Sequence, residues 1–167
     1  MKHVFLHIIL ATFMLCPNIQ AHTWQEGDSP AYKILDSQKE SKKIDGAMLK
    51  FARPFLKRTP MGVIIDEIHM MIICPMELDP QEEKFKFTVA ANEVLSRYNM
   101  VEKIDDEKST MTIYIDTPHD NKFSEIILYN TKPEGCIMLF VGDFTVESLI
   151  KVGEVSEQQR KNLKKNN

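Results

Sequence analysis

Cys136, Ile137, Met138, Leu139, Phe140 and Val141 are apolar at odd and even positions alike. A strand sends successive side chains to opposite faces, so a strand with this pattern has no side that prefers water. It belongs inside a sheet, with both faces covered. The segment sits within residues 123–152, the longest apolar stretch outside the N-terminal run. That stretch reads as strand, turn, strand and short helix. Pro133 and Gly135 supply the turn chemistry of residues 130–135. Gly142 frees the chain to turn, and Asp143 or Thr145 can cap the helix that follows.

The rest of the chain supplies partners for that strand. Residues 110–116 alternate, with Met111, Ile113 and Ile115 expected inward and Thr112, Tyr114 and Asp116 outward. Residues 100–104 form another short strand, so residues 100–141 predict a four-stranded antiparallel meander joined by short polar turns. Residues 67–74 are apolar on both parities and rich in isoleucine, which predicts a further central strand ended by Pro75. Asp79, Pro80 and Glu82 form a helix-start signature. The helix it opens carries Phe87, Ala90, Ala91, Val94, Leu95 and Tyr98 on one stripe. In residues 44–57, Met48, Phe51, Ala52 and Phe55 recur at threes and fours, a helical face expected to end or kink near Pro54. The predicted class is α+β: a two-layer sandwich, a mainly antiparallel sheet with a C-terminal meander and helices packed on one face.

Residues 1–21 have the three parts of a secretory signal. Lys2 begins it, an apolar run of about 12 residues follows, and Ala21 offers a small residue before the cut. A membrane span needs roughly 20 residues, so removal rather than anchoring is expected, and no later segment is long enough to span. Cys16 is a poor lipidation site because Leu15 precedes it. Residues 22–43 read as a polar flexible arm, residues 44–153 as a single domain and residues 154–167 as a polar tail, a frayed helix or a disordered end. The predicted location is periplasmic or secreted. The formal net charge is −3. Loss of Lys2 with the leader makes the chain more acidic still, which argues against nucleic acid as a partner.

The order of elements ends in an apolar strand followed by Gly142, Asp143, Phe144, Thr145, Val146, Glu147, Ser148, Leu149 and Ile150. This arrangement resembles the small exported proteins of Bacteroidetes called domain of unknown function 4252, over residues 44–152. The closing strand, glycine, polar link and helix carry most of the likeness. The sequence departs at Lys42–Asp45, a poor match to the family's first strand. The resemblance implies export and an α+β fold, and it brings no catalytic residues and no cofactor.

Four residue groups could carry chemistry. His22, the expected mature N-terminus, could bind copper only with a second histidine, and His69 and His119 are the only others after the leader. Cys74 and Cys136 could pair in an oxidising compartment, although both lie in apolar runs that suit buried thiols better. Glu67 and His69 would share one strand face, with Asp66 beside them. They are the candidate site of a small hydrolase or metal-dependent enzyme, which requires a third converging polar group. Asp105, Asp106 and Glu107 lack the glycine and distal glutamate of a calcium loop. No phosphate-binding loop, nucleophile elbow or paired-cysteine motif occurs. The favoured reading is therefore an exported, non-catalytic envelope protein that binds another protein or serves as an accessory. A binder of a small apolar ligand between helix and sheet is the third possibility.

Overall fold

The strand that opened the sequence reading has the cover its pattern demands. In the computed structural model, which describes residues 28–57, 60–76, 81–105, 110–131 and 135–165, it is β6 (Cys136–Thr145), longer than expected by four residues. It lies between β2 (Ile68–Pro75) and β5 (Lys122–Asn130), hydrogen-bonded to both. Outside them run β1 (Lys42–Asp45) beside β2, then β4 (Thr110–Ile115) and β3 (Asn99–Asp105) beyond β5. The order is β1-β2-β6-β5-β4-β3, and every pair is antiparallel. The expected meander is β3 to β6. The leader, His22, Cys16, the Asp79–Pro80 cap, the acidic turn after Asp105 and the hairpin tip at Pro133 lie outside the described residues.

The protein is an α+β sandwich, an open antiparallel sheet with its main helical layer on one face and a smaller helical group on the other. The main layer consists of α1 (Pro30–Asp36) and α3 (Gln81–Leu95). Phe87, Ala91 and Leu95, spaced by four, bring one stripe of α3 onto Ile72, Cys74, Ile127, Leu139 and Val141. Ala31, Tyr32 and Leu35 of α1 join the same cluster. Burying each such Leu, Ile or Phe is worth about 1.5–3 kcal/mol.

The other face is not bare. Over one end of it lie α2 (Gly46–Leu56), a 3-10 segment (Pro60–Ile64) and the start of α4 (Val146–Lys165). Leu49, Met61, Ile64, Ile65 and Val152 pack there against Met71, Ile115, Ile126, Phe140 and Phe144. Phe123 and Phe144 meet with ring centroids 5.5 Å apart. Farther along this face a row of paired residues, Ile73, Met138, Leu128 and Ile113, runs across β2, β6, β5 and β4 and is only half-buried.

Two expectations change. The described part of the arm, residues 28–43, contains α1, whose cap is Ser29: its Oγ accepts the Tyr32 amide at 2.9 Å, and Pro30 follows at the first position. It also begins β1. In β4, Thr112 is buried and Tyr114 packs against the cluster under α3, while Met111 and Ile113 are half-buried. The covering helices decide which side of a strand is inward, and they cover Thr112 more fully than Ile113. Of the two alternatives for the tail, the structure has the helix, since α4 continues to Lys165.

The two faces are tied together where β6 bulges. The pairing of β5 with β6 shifts between Phe123 and Glu125, which puts Gly142 and Asp143 opposite the single residue Ser124. The Asp143 amide donates to the Glu67 carbonyl at 3.1 Å. A Cβ on Gly142 would lie 2.0 Å from that carbonyl oxygen and 2.8 Å from the Phe144 ring. Glycine is required here by close approach of two backbones. Gly142→Ala should cost about 3 kcal/mol, read as a lowered urea midpoint; an unchanged midpoint would disprove this crossing.

Candidate functional site

Glu67 and His69 do not form a common site. Glu67 precedes β2, and the pairing of β2 with β6 shifts between Ile68 and Met70, so His69 is the extra residue of a bulge. The bulge breaks the alternation that would have kept the two side chains together. His69 Nε2 points to exposed Asp143, 3.4 Å from its Oδ2. Glu67 turns instead to the first turn of α4, where its Oε1 accepts the Ser148 hydroxyl at 2.9 Å. Thr145 Oγ1 accepts the Ser148 amide at 3.1 Å, making Thr145 the side-chain cap. A carboxylate beside the amide end of a 20-residue helix is favoured by the helix dipole. Glu67 thus locks α4 to the start of β2, and the Ser148 proton is directed to a carboxylate rather than to an imidazole. Asp66 is taken up elsewhere, by Arg53 at 3.1 Å.

The cysteines stand on neighbouring strands one position out of step. Cys74 pairs with Ile137, and Pro75 with Cys136. Paired residues share a face and successive residues alternate, so the two side chains leave the sheet on opposite sides. Both are free thiols. Burial pushes both above the ordinary thiol value. His119 lies beside Asp120, 3.4 Å away, at the turn before β5. Among the described residues no group of three or more His, Cys, Asp or Glu side chains could hold a metal ion. Between α1, α3 and the sheet there is an apolar void lined by Ala31, Leu35, Ala91, Leu95, Ile127 and Ile137. Its volume of about 10 Å³ is no more than one water's worth.

A polar network passed unnoticed in the sequence. Glu125 is buried on β5, on the face covered by α3. Tyr98 follows α3 and donates its hydroxyl proton to Glu125 Oε2 at 2.6 Å, while the Tyr98 phenol oxygen itself accepts the Ala31 amide of α1 at 3.3 Å. One phenol thus connects α1, the end of α3 and the centre of the sheet. Burial, then the Glu125 charge, pushes its pKa far above the ordinary tyrosine value. Asp116 lies next to this group and accepts the amides of Ser124 and Glu125 at 3.0–3.2 Å. Desolvation outweighs those amides, and its pKa rises to about 6. The alternation of residues 110–116 had placed Asp116 in water, and nothing in the sequence marks Tyr98 as its neighbour.

The surface feature that stands out is α2. Met48, Phe51 and Phe55 are 61, 79 and 75% exposed, whereas Leu49 is 3% exposed. The apolar face read from the spacing of Met48, Phe51 and Phe55 is the one facing out. The helix has two apolar stripes and the sheet takes only that of Leu49 and Leu56. Gly46, at φ +44°, carries the chain from β1 into α2 with no intervening loop, which leaves little freedom to roll the helix. Pro54 stays inside the helix rather than ending it.

Asp116 sets a test of this electrostatic reading. Its folded pKa lies above the ordinary 3.8, so the folded state holds this proton more tightly than the unfolded chain. The stabilisation is fully present below about pH 4 and is lost as pH rises through about 6. In urea titrations the stability of the native chain relative to Asp116→Asn should fall between pH 4 and pH 7; a constant difference would refute the assignment. No family model, no curated protein and no solved structure matches this chain.

Proposed function

We propose that this chain is an exported, non-catalytic accessory module of a bacterial envelope that acts by docking, with α2 as its docking element. The observation that carries this reading is the outward stripe of Met48, Phe51 and Phe55. Isolated exposed apolar residues are ordinary, but three on one short helix face make a contact surface. Their neighbour on the 3-10 segment, Val63, is exposed as well. Export is supported by the secretory pattern of residues 1–21 and by the resemblance of residues 44–152. The partner class expected from the sequence is an envelope component, and the acidic balance of the chain speaks against nucleic acid. Among the described residues no helix is long and apolar enough to cross a membrane.

The chain without its leader, incubated with a native envelope fraction, should be retained. The double variant Phe51→Ser, Phe55→Ser should be retained at least about tenfold less, since the two rings supply most of the contact area. Equal retention of both proteins, or of neither, would contradict the docking reading.

A further inference from the structure

We infer that the surface α2 docks on is an anionic lipid headgroup layer. The inference rests on the docking reading above and names the occupant of the same face. The first observation is the makeup of the outward arc. The exposed residues of α2 beyond its first turn are Lys50, Phe51, Pro54 and Phe55, with Met48 before them and Lys57 just after. Apolar or cationic side chains, with one proline, make up that whole arc. Between residues 46 and 65 the sequence has Lys50, Arg53, Lys57 and Arg58 and no acid, in a chain whose net charge is −3. The local charge is opposite in sign to that of the molecule.

The second observation is how those groups are arranged. At 100° per residue, Phe51, Phe55 and Met48 lie on one flank of the exposed arc and Lys50 and Lys57 on the other, with Pro54 between them. Leu49 and Leu56 occupy the opposite side, held by the protein. A helix laid on a membrane with Pro54 lowest would put the rings into the acyl boundary and both ammonium groups at headgroup level. That is the division of an interfacial amphipathic helix. Arg53 is spent on Asp66, at 3.1 Å, and strengthens the attachment of α2 to the protein rather than to lipid. Along the sequence the acids that flank this stretch are Asp45, at the helix start, and exposed Asp66. Both lie outside α2, and Asp66 is already neutralised by its partner.

The third observation separates lipid from a protein cleft. Phe51 and Phe55 are three-quarters exposed or more, so most of each ring stands clear of the protein. The adjoining 3-10 segment carries a further exposed apolar residue, Val63, 41% exposed. A deformable layer accepts protruding rings of this kind without needing a matching pocket. The helix of 11 residues is about 16 Å long. Attachment by it is peripheral and reversible, in keeping with two rings and two cations.

Vesicle cosedimentation of the chain without its leader tests the inference. Vesicles of phosphatidylcholine with 30% phosphatidylglycerol should bind it at low salt, about tenfold more tightly than pure phosphatidylcholine. Binding should weaken by at least about tenfold in 0.5 M NaCl or in Lys50→Glu, Lys57→Glu. It should be lost in Phe51→Ser, Phe55→Ser, whose circular dichroism stays native because those rings lie outside the core. Absence of vesicle binding, or equal binding by the serine variant, overturns the inference. If vesicles fail while envelope retention persists and depends on the two rings, docking stands and the occupant is a protein. If vesicles fail and the chain forms a dimer that the serine variant abolishes, the occupant is a second copy.

Discussion

The structure depends on burying β6 from both sides. Leu139 and Phe140 are adjacent, point to opposite faces and are almost wholly shielded from water. One layer of helices cannot shield both. The chain answers with α1 and α3 over Leu139 and with the smaller group of α2, the 3-10 segment and α4 over Phe140. Hydrogen bonding imposes the second requirement. A strand with no wet face has no water for its amides, so it must be paired along both edges, and β2 and β5 provide that pairing.

Unequal cover follows from unequal helices. The face under α1 and α3 is closed tightly enough to hold Glu125, and the Tyr98 hydroxyl helps to offset the burial of that carboxylate. The opposite face is closed at the end where Gly142 lets the β6 bulge touch the Glu67 carbonyl and where Glu67 itself holds α4. Beyond that end the row from Ile73 to Ile113 remains half-buried. The apolar surplus on α2 belongs to the same imbalance, because a helix with two apolar stripes meets a sheet that uses one.

Much of this was legible in the residues. Period-two and continuous apolar runs located all four strands of the meander, and the stripe of Phe87, Ala91 and Leu95 identified the helix that covers them. What escaped was whatever depends on geometry between elements. Helix α1 spans only seven residues in polar surroundings, and its Ser29-Pro30 start was the one available signal. Strand β1 is four residues long and gains its meaning from pairing with β2. The shared face expected for Glu67 and His69 assumed an unbroken strand, and the bulge at His69 removed it. Composition showed α2 to be amphipathic but not which way it would roll, since Leu49 and Phe51 are equally good core residues. The buried Tyr98–Glu125 contact joins residues 27 positions apart, a pairing no local pattern announces.

The central claim is that α2 is fastened by Leu49 while its aromatic stripe contributes nothing to the fold. Comparing the unfolding free energies of Leu49→Ala and of Phe51→Ser, Phe55→Ser in the purified chain, with no membrane present, tests it most directly. Leu49→Ala should cost about 2–5 kcal/mol, and the double serine variant should lie within about 0.5 kcal/mol of the native chain. A serine variant as destabilised as Leu49→Ala would show that the rings belong to the core and would remove the basis for docking through α2.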